Sequence, residues 1–142
     1  MITVRKVATA EETIEAIKVR EAVFVEELKI PFENEVDEYE KASEHFVAFD
    51  GSNPCGTARW RFGEEGIVLE KFAVINSYRH KGVGTELLHA ILDDIANNPY
   101  TQGTKIILYC NKDSVQLYQK FGFVKSNGVS RHENMEMLEL SN

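Results

Sequence analysis

One passage constrains this chain more than any other: Phe72-Ala73-Val74-Ile75-Asn76-Ser77-Tyr78-Arg79-His80-Lys81-Gly82-Val83-Gly84-Thr85-Glu86-Leu87-Leu88. A β-type run from Ile67 to Val74 enters a loop of form Arg-x-x-Gly-x-Gly, and a helix begins inside that loop. Val83, Leu87, Leu88, Ile91, Leu92 and Ile95 then make one apolar stripe that ends before Pro99. First-turn amides of a helix have no internal partners and carry partial positive charge. Glycines at 82 and 84 remove the side chains that would hold an anion off those amides, and Arg79 and Lys81 add charge beside them. These residue types build a pyrophosphate cradle from the backbone of Arg79, His80, Lys81, Gly82, Val83, Gly84 and Thr85. The loop has neither the third glycine of a dinucleotide fingerprint nor the Gly-Lys-Ser/Thr ending of a nucleotide P-loop.

The rest of the chain supplies elements around this junction. Ile2 to Val7 alternates as a first strand, and Thr9-Ala10-Glu11-Glu12 has the form of a capping box opening a helix toward Val23 and Phe24. His45 to Phe49 and Cys55 to Phe62 read as a hairpin about the turn at Asp50-Gly51-Ser52-Asn53-Pro54. Lys105 to Tyr109 is a short strand. Asn111 or Asp113 can start a helix containing Val115, Leu117, Tyr118 and Phe121, and Phe123 to Lys125 and Asn134 to Leu140 are the last strand candidates. At 142 residues, without repeat or linker, residues 1–142 form a single α/β domain with a mixed sheet.

Charge location is more informative than charge total. Net charge is −7, but residues 26–44 alone hold eight acidic residues and two lysines, leaving the remainder at −1. A solvated acidic face is one explanation; an acidic lip attracting a cationic substrate is the other. Either would repel nucleic-acid phosphate, so no nucleic-acid partner is expected. No apolar run approaches bilayer length, and Arg5 and Lys6 precede no signal-type apolar stretch, so the expected location is cytoplasmic with no membrane partner. Cys55 and Cys110 lack metal-ligand spacing, and His45, His80, His89 and His132 are scattered, so no metal is expected.

A second motif follows about 30 residues after the first. Asn111, Tyr118, Gly122 and Phe123 form Asn-x6-Tyr-x3-Gly-Phe on a strand–helix–strand. In this order and distance the two motifs resemble the GNAT acetyltransferase superfamily. Residues 19–27, His45 and Gly56-Thr57-Ala58-Arg59 are similar to its small ElaA-like branch. The resemblance implies an α+β fold: a mixed, mostly antiparallel sheet of six to seven strands, about four flanking helices, and two central strands that splay apart. It implies acetyl-CoA as co-substrate, with Phe72, Ala73 and Val74 beside the pantetheine arm, residues 79–85 around the pyrophosphate, and Asn111 on the pantetheine or acceptor side. Tyr118 would protonate the departing thiolate.

The implied reaction is direct attack of a neutral primary amine on the thioester within a ternary complex, which needs a base, an oxyanion donor and an acid. Glu70, near the start of the strand that bears Phe72 and Val74, is the first base candidate, with Glu26, Glu27 and His45 behind it. His132 is a candidate for the acceptor pocket. The acceptor is a small-molecule or peptide amine, and the resemblance admits a homodimer. Two other functions stay open. One is a non-catalytic acyl-CoA-binding module. The other is an acyl-homoserine-lactone synthase, which Arg20, Val23-Phe24, Glu35, Asp37 and Tyr39 resemble, although such enzymes are usually longer and lack the Arg-x-x-Gly-x-Gly loop.

Overall fold

The computed structural model describes residues 1–31, 35–126 and 135–142. Among these residues seven strands form one sheet in the order β1-β2-β3-β4-β5-β7-β6. They are β1 Ile2–Lys6, β2 Glu44–Asp50, β3 Asn53–Phe62, β4 Ile67–Val74, β5 Ile106–Cys110, β6 Val124–Lys125 and β7 Glu136–Leu140. Every pairing is antiparallel except that of β4 with β5. Among the described residues three α-helices with both ends defined flank the sheet: α1 Ala10–Arg20, α2 Val83–Ala96 and α3 Val115–Gln119. None among the described residues is long and apolar enough to cross a membrane.

Local chemistry accounts for most element ends. Thr9 Oγ1 accepts from the Glu12 amide at 3.1 Å and Glu12 Oε1 accepts from the Thr9 amide at 3.2 Å, the reciprocal bonds of a capping box. The β2–β3 turn is tighter than its composition suggests. Asp50 pairs with Asn53, so Gly51 and Ser52 alone make the loop and Pro54 lies inside β3. Beyond α1 the helix widens into a π-helical segment, Glu21–Glu27, with the Leu28 amide donating to Val23 five residues back. Nothing in the residue pattern separates this segment from ordinary α-helix. In the acidic stretch after it the described residues give one helical position, Glu35, whose amide donates to the Pro31 carbonyl, and then turns.

The two sheet faces are covered by different helices. Phe46, Ala48, Ala58, Trp60, Leu69 and Leu108 face α2 and α3, meeting the stripe Val83, Leu87, Leu88, Ile91 and Ile95. The alternate residues Val47 and Phe49 face α1 at Ala16, while Val19 and Val23 pack on Ala73. Gly56 on β3 permits the tightest of these contacts. A Cβ there would stand 2.7 Å from Val83 Cγ1 and 3.1 Å from Leu87 Cδ1, so the first turn of α2 rests against the strand.

Candidate active site

A cleft opens where β4 and β5 part. Their parallel register runs from Ile67 with Ile106 to Leu69 with Leu108 and stops there. Beyond it β4 continues on β3 to Val74, and β5 continues on β7 to Cys110. The change on β4 is a bulge at Lys71, whose φ is 60°, in the left-handed region. Arg59 faces Glu70 and Thr57 faces Ala73, so one residue of β3 opposes two of β4. That extra residue reverses the alternation: Leu69 and Phe72 face α2 and α3, while Glu70 points toward Arg59 on the α1 side. The Ile75 amide donates to Cys55 on β3, so the main-chain groups of Val74, one residue away, point to the cleft.

The Arg-x-x-Gly-x-Gly loop closes one end of the cleft. Asn76–Tyr78 forms a 3₁₀ turn, and α2 begins after Gly82 with no side chain capping it. Its first backbone bond runs from the Glu86 amide to the Gly82 carbonyl. Left-handed backbone at His80 (φ 64°) and Gly82 (φ 83°) gives the alternation in which successive amides form a concave anion site. A Cβ on Gly82 would meet nothing within 4 Å, and one on Gly84 only Leu117 at 3.8 Å. Packing therefore does not demand these glycines; they keep the space over the helix end clear. That open, uncapped cradle fits a diphosphate.

Two loop residues sit differently from a simple phosphate ligand set. The Arg79 amide donates to Asn76, and its Nε donates to the Val74 carbonyl at 3.0 Å. Its Nη1 and Nη2 hold Glu27 at 2.6 and 2.8 Å, and this bond lowers the Glu27 carboxyl from its ordinary range. Arg79 is thus a brace between the end of the π-helical segment and β4. Lys81 Nζ lies 5.7 Å over the Tyr78 ring, and Tyr78 donates to Asp50 at 3.0 Å.

Tyr118 sits in the fork between the strands, its ring 5.6 Å from that of Phe72 in an edge contact and 6.3 Å from that of Phe123. Only 4% of it is exposed. Burial, and then the nearby Cys110, push its phenol well above the usual range, so it is protonated at neutral pH. Cys110, pushed up to about 11 by burial and by Glu136, is a thiol rather than a nucleophilic thiolate. Asn111 Oδ1 accepts from the Ser114 amide at 3.0 Å and caps the turn leading into α3. His45 Nε2 is tied to the Glu40 carbonyl at 2.8 Å. His132 lies outside the described residues.

Glu70 belongs to a network that the residue pattern did not reveal. Its Oε1 accepts from Arg59 Nε at 3.2 Å, Arg59 Nη2 at 2.7 Å and Arg61 Nε at 2.6 Å. Burial alone would raise this carboxyl, but the bonds from Arg61 and the charge of Arg59 outweigh it and hold it low. Arg59, wholly buried, also grips Asp37 bidentately at 3.0 and 2.6 Å. Arg20, 2% exposed, grips Glu40 at 2.6 and 2.7 Å and Glu35 Oε1 at 2.7 Å. Lys71 completes the set by donating to the Glu35 carbonyl at 2.7 Å.

Neither reading of the acidic stretch as a solvated face or as a lip describes Glu35, Asp37 and Glu40. Together with Glu70 they balance the four cations Arg20, Arg59, Arg61 and Lys71 beside the bulge. The available signal was Arg59 and Arg61 on one side of the β3 alternation, where Ala58 and Trp60 occupy the other.

Residues 11–123 match the Acetyltransferase (GNAT) family. The chain belongs to this family. It is 39% identical over 113 residues to the uncharacterized N-acetyltransferase YjcF of Bacillus subtilis, across 80% of this chain and 79% of that one. Its fold is that of Escherichia coli ElaA, with a TM-score of 0.81 at 19% identity over 98% of both chains. It is also similar to the PaiA N-acetyltransferase of Thermoplasma acidophilum in complex with coenzyme A, with a TM-score of 0.73 at 17% identity over 100% of this chain and 99% of that one. The GNAT assignment makes the protein an acetyltransferase, an enzyme of acyl transfer from coenzyme A.

Proposed function

We propose that the protein transfers the acetyl group of acetyl-CoA to a primary amine of a small molecule or peptide, by direct attack in a ternary complex. The observation that carries this is the open fork beyond Leu69 and Leu108, with an uncapped helix end at one side and a buried phenol between its arms. Acetyl-CoA supplies the acyl group as a thioester. The amides of residues 80–85 bind its diphosphate, with Lys81 adding charge. The main-chain edge of Phe72, Ala73 and Val74 pairs with the pantetheine arm, and Arg79 holds that edge in place through the Val74 carbonyl. Asn111, whose Oδ1 is engaged in its cap, turns its amide group to the pantetheine or the acceptor.

Tyr118 gives its proton to the leaving thiolate, a role that suits a phenol kept protonated by burial. Glu70 remains our base candidate in a restricted sense. With Oε1 held by two arginines and its proton affinity lowered, the carboxylate orients the amine or a water through Oε2, and the amine's proton leaves through that water to solvent. Both cysteines are free, in keeping with the cytoplasmic location we assign.

The test is an amine panel of polyamines, amino sugars, aminoglycosides and short peptides, following free CoA released from acetyl-CoA. Release that depends on one primary amine is expected. Tight CoA binding with no release for any amine would instead make the chain a sensor of acyl-CoA.

A further inference from the structure

The bulge on β4 lies at a lysine, although left-handed backbone disfavours any residue with a Cβ. The Lys71 side chain is also fastened by polar contacts. Its Nζ donates to the Glu35 carbonyl at 2.7 Å, stands 3.4 Å from Glu35 Oε1, and lies 5.7 Å over the Phe24 ring. Glu35 is itself immobilised. It is 1% exposed, and Arg20 donates to both its carboxylate and its carbonyl, at 2.7 and 3.1 Å. The strand is thus pinned at the point of divergence by a chain of charge-assisted bonds running back to the end of α1.

We propose that Lys71 and Glu35 are positioning residues: their contact holds the bulge that turns the main-chain groups of Phe72 and Val74 into the cleft and Phe72 onto Tyr118. The physical reason is the alternation of a strand. If the bulge relaxed, every residue from Phe72 onward would shift by one position, and the edge offered to a pantetheine arm would face β3 instead. A left-handed residue with a side chain costs energy that something nearby must offset, and the Lys71 ammonium reaches outside the sheet to do so on the face opposite Phe72. The inference rests on the acyl-transfer reading above, because it assigns the tether to the cofactor edge.

Three variants separate the tether from the backbone. Lys71→Met keeps length and loses the ammonium; Lys71→Gly relieves the left-handed backbone and also loses the ammonium; Lys71→Arg restores a donor. For Lys71→Met, CoA affinity by titration calorimetry and the KM for acetyl-CoA should weaken about tenfold, as expected for loss of a charge-assisted bond, with the acceptor KM unchanged, whereas Lys71→Gly, which holds left-handed backbone without a tether, should lose clearly less. Lys71→Arg should recover most of this loss. A general structural role would lower the melting temperature without moving CoA affinity at low temperature.

If Lys71→Met fails to fold, Lys71→Gln decides, because it keeps the side chain on left-handed backbone and removes the ammonium. Wild-type affinity and turnover in Lys71→Met or Lys71→Gln, or a loss in Lys71→Gly as large as theirs, would overturn the proposal while leaving the acyl-transfer reading intact. A wild-type protein that binds no CoA would overturn both.

Discussion

At the scale of single residues, the two catalytic candidates are poised in opposite senses. Burial keeps the Tyr118 proton on, and two arginines keep the Glu70 proton off. Tyr118→Phe removes one hydroxyl and keeps the ring against Phe72 and Phe123, so CoA affinity should hold while turnover falls about 10²-fold. The measurement is CoA release at saturating acetyl-CoA and amine; an equal loss of affinity and turnover would mark Tyr118 as a binding residue. Glu70 changes the pH expectation that its type alone suggests. Because its carboxyl is held below the usual range, it is ionised across the working pH, and protonation does not switch it off near neutrality. Glu70→Gln should therefore lower the rate by a similar factor from pH 6 to 9, with the acid limb left to the acceptor amine. A loss confined to the acid side would show that Glu70 titrates in the reaction.

At the scale of elements, the cradle can be tested without disturbing the fold. Gly84 has room for a side chain, with Leu117 at 3.8 Å as its nearest neighbour, so Gly84→Asp should fold normally while placing negative charge at the helix end. The rise in melting temperature that CoA produces should vanish in this variant, with the unliganded value little changed. Gly82 is less clean a probe, since its φ of 83° strains any replacement. The same comparison explains what the residue pattern could convey. The capping box at Thr9, the α2 stripe and the Arg-x-x-Gly-x-Gly junction are local signals, and each appears where spacing puts it. The bulge is not local. It depends on Lys71 meeting Glu35, 36 residues earlier, and no spacing rule announces a left-handed lysine. The pairing of Arg20 and Arg59 with Glu35, Asp37 and Glu40 was equally hidden, because these carboxylates lie 15 to 22 residues away in the segment whose charge read as surface.

At the scale of the whole molecule, the buried ion network links folding to pH. Burial would raise the Glu40 carboxyl, but Arg20, the Asp37 amide and Arg59 bring it down to about 2. A carboxyl depressed by folding contributes stability that is present above its unfolded value and lost as pH falls through the folded one. The melting temperature should therefore hold from neutrality to about pH 4.5 and decline from there toward 2. Glu40→Gln should melt lower at pH 7 and lose much of that acid dependence; an unchanged profile would place the acid sensitivity elsewhere. Gly56 has a consequence at this scale too. With the first turn of α2 resting on β3, the helix end proposed for a diphosphate stands at one set distance from the fork that holds Tyr118. The two behave as the jaws of a caliper locked at a single opening. On the acetyl-CoA reading, a donor is gauged by the reach of its pantetheine arm: a thioester on a shorter carrier seats in one jaw and misses the other, so the scaffold selects the carrier by length before the acyl group is read at all.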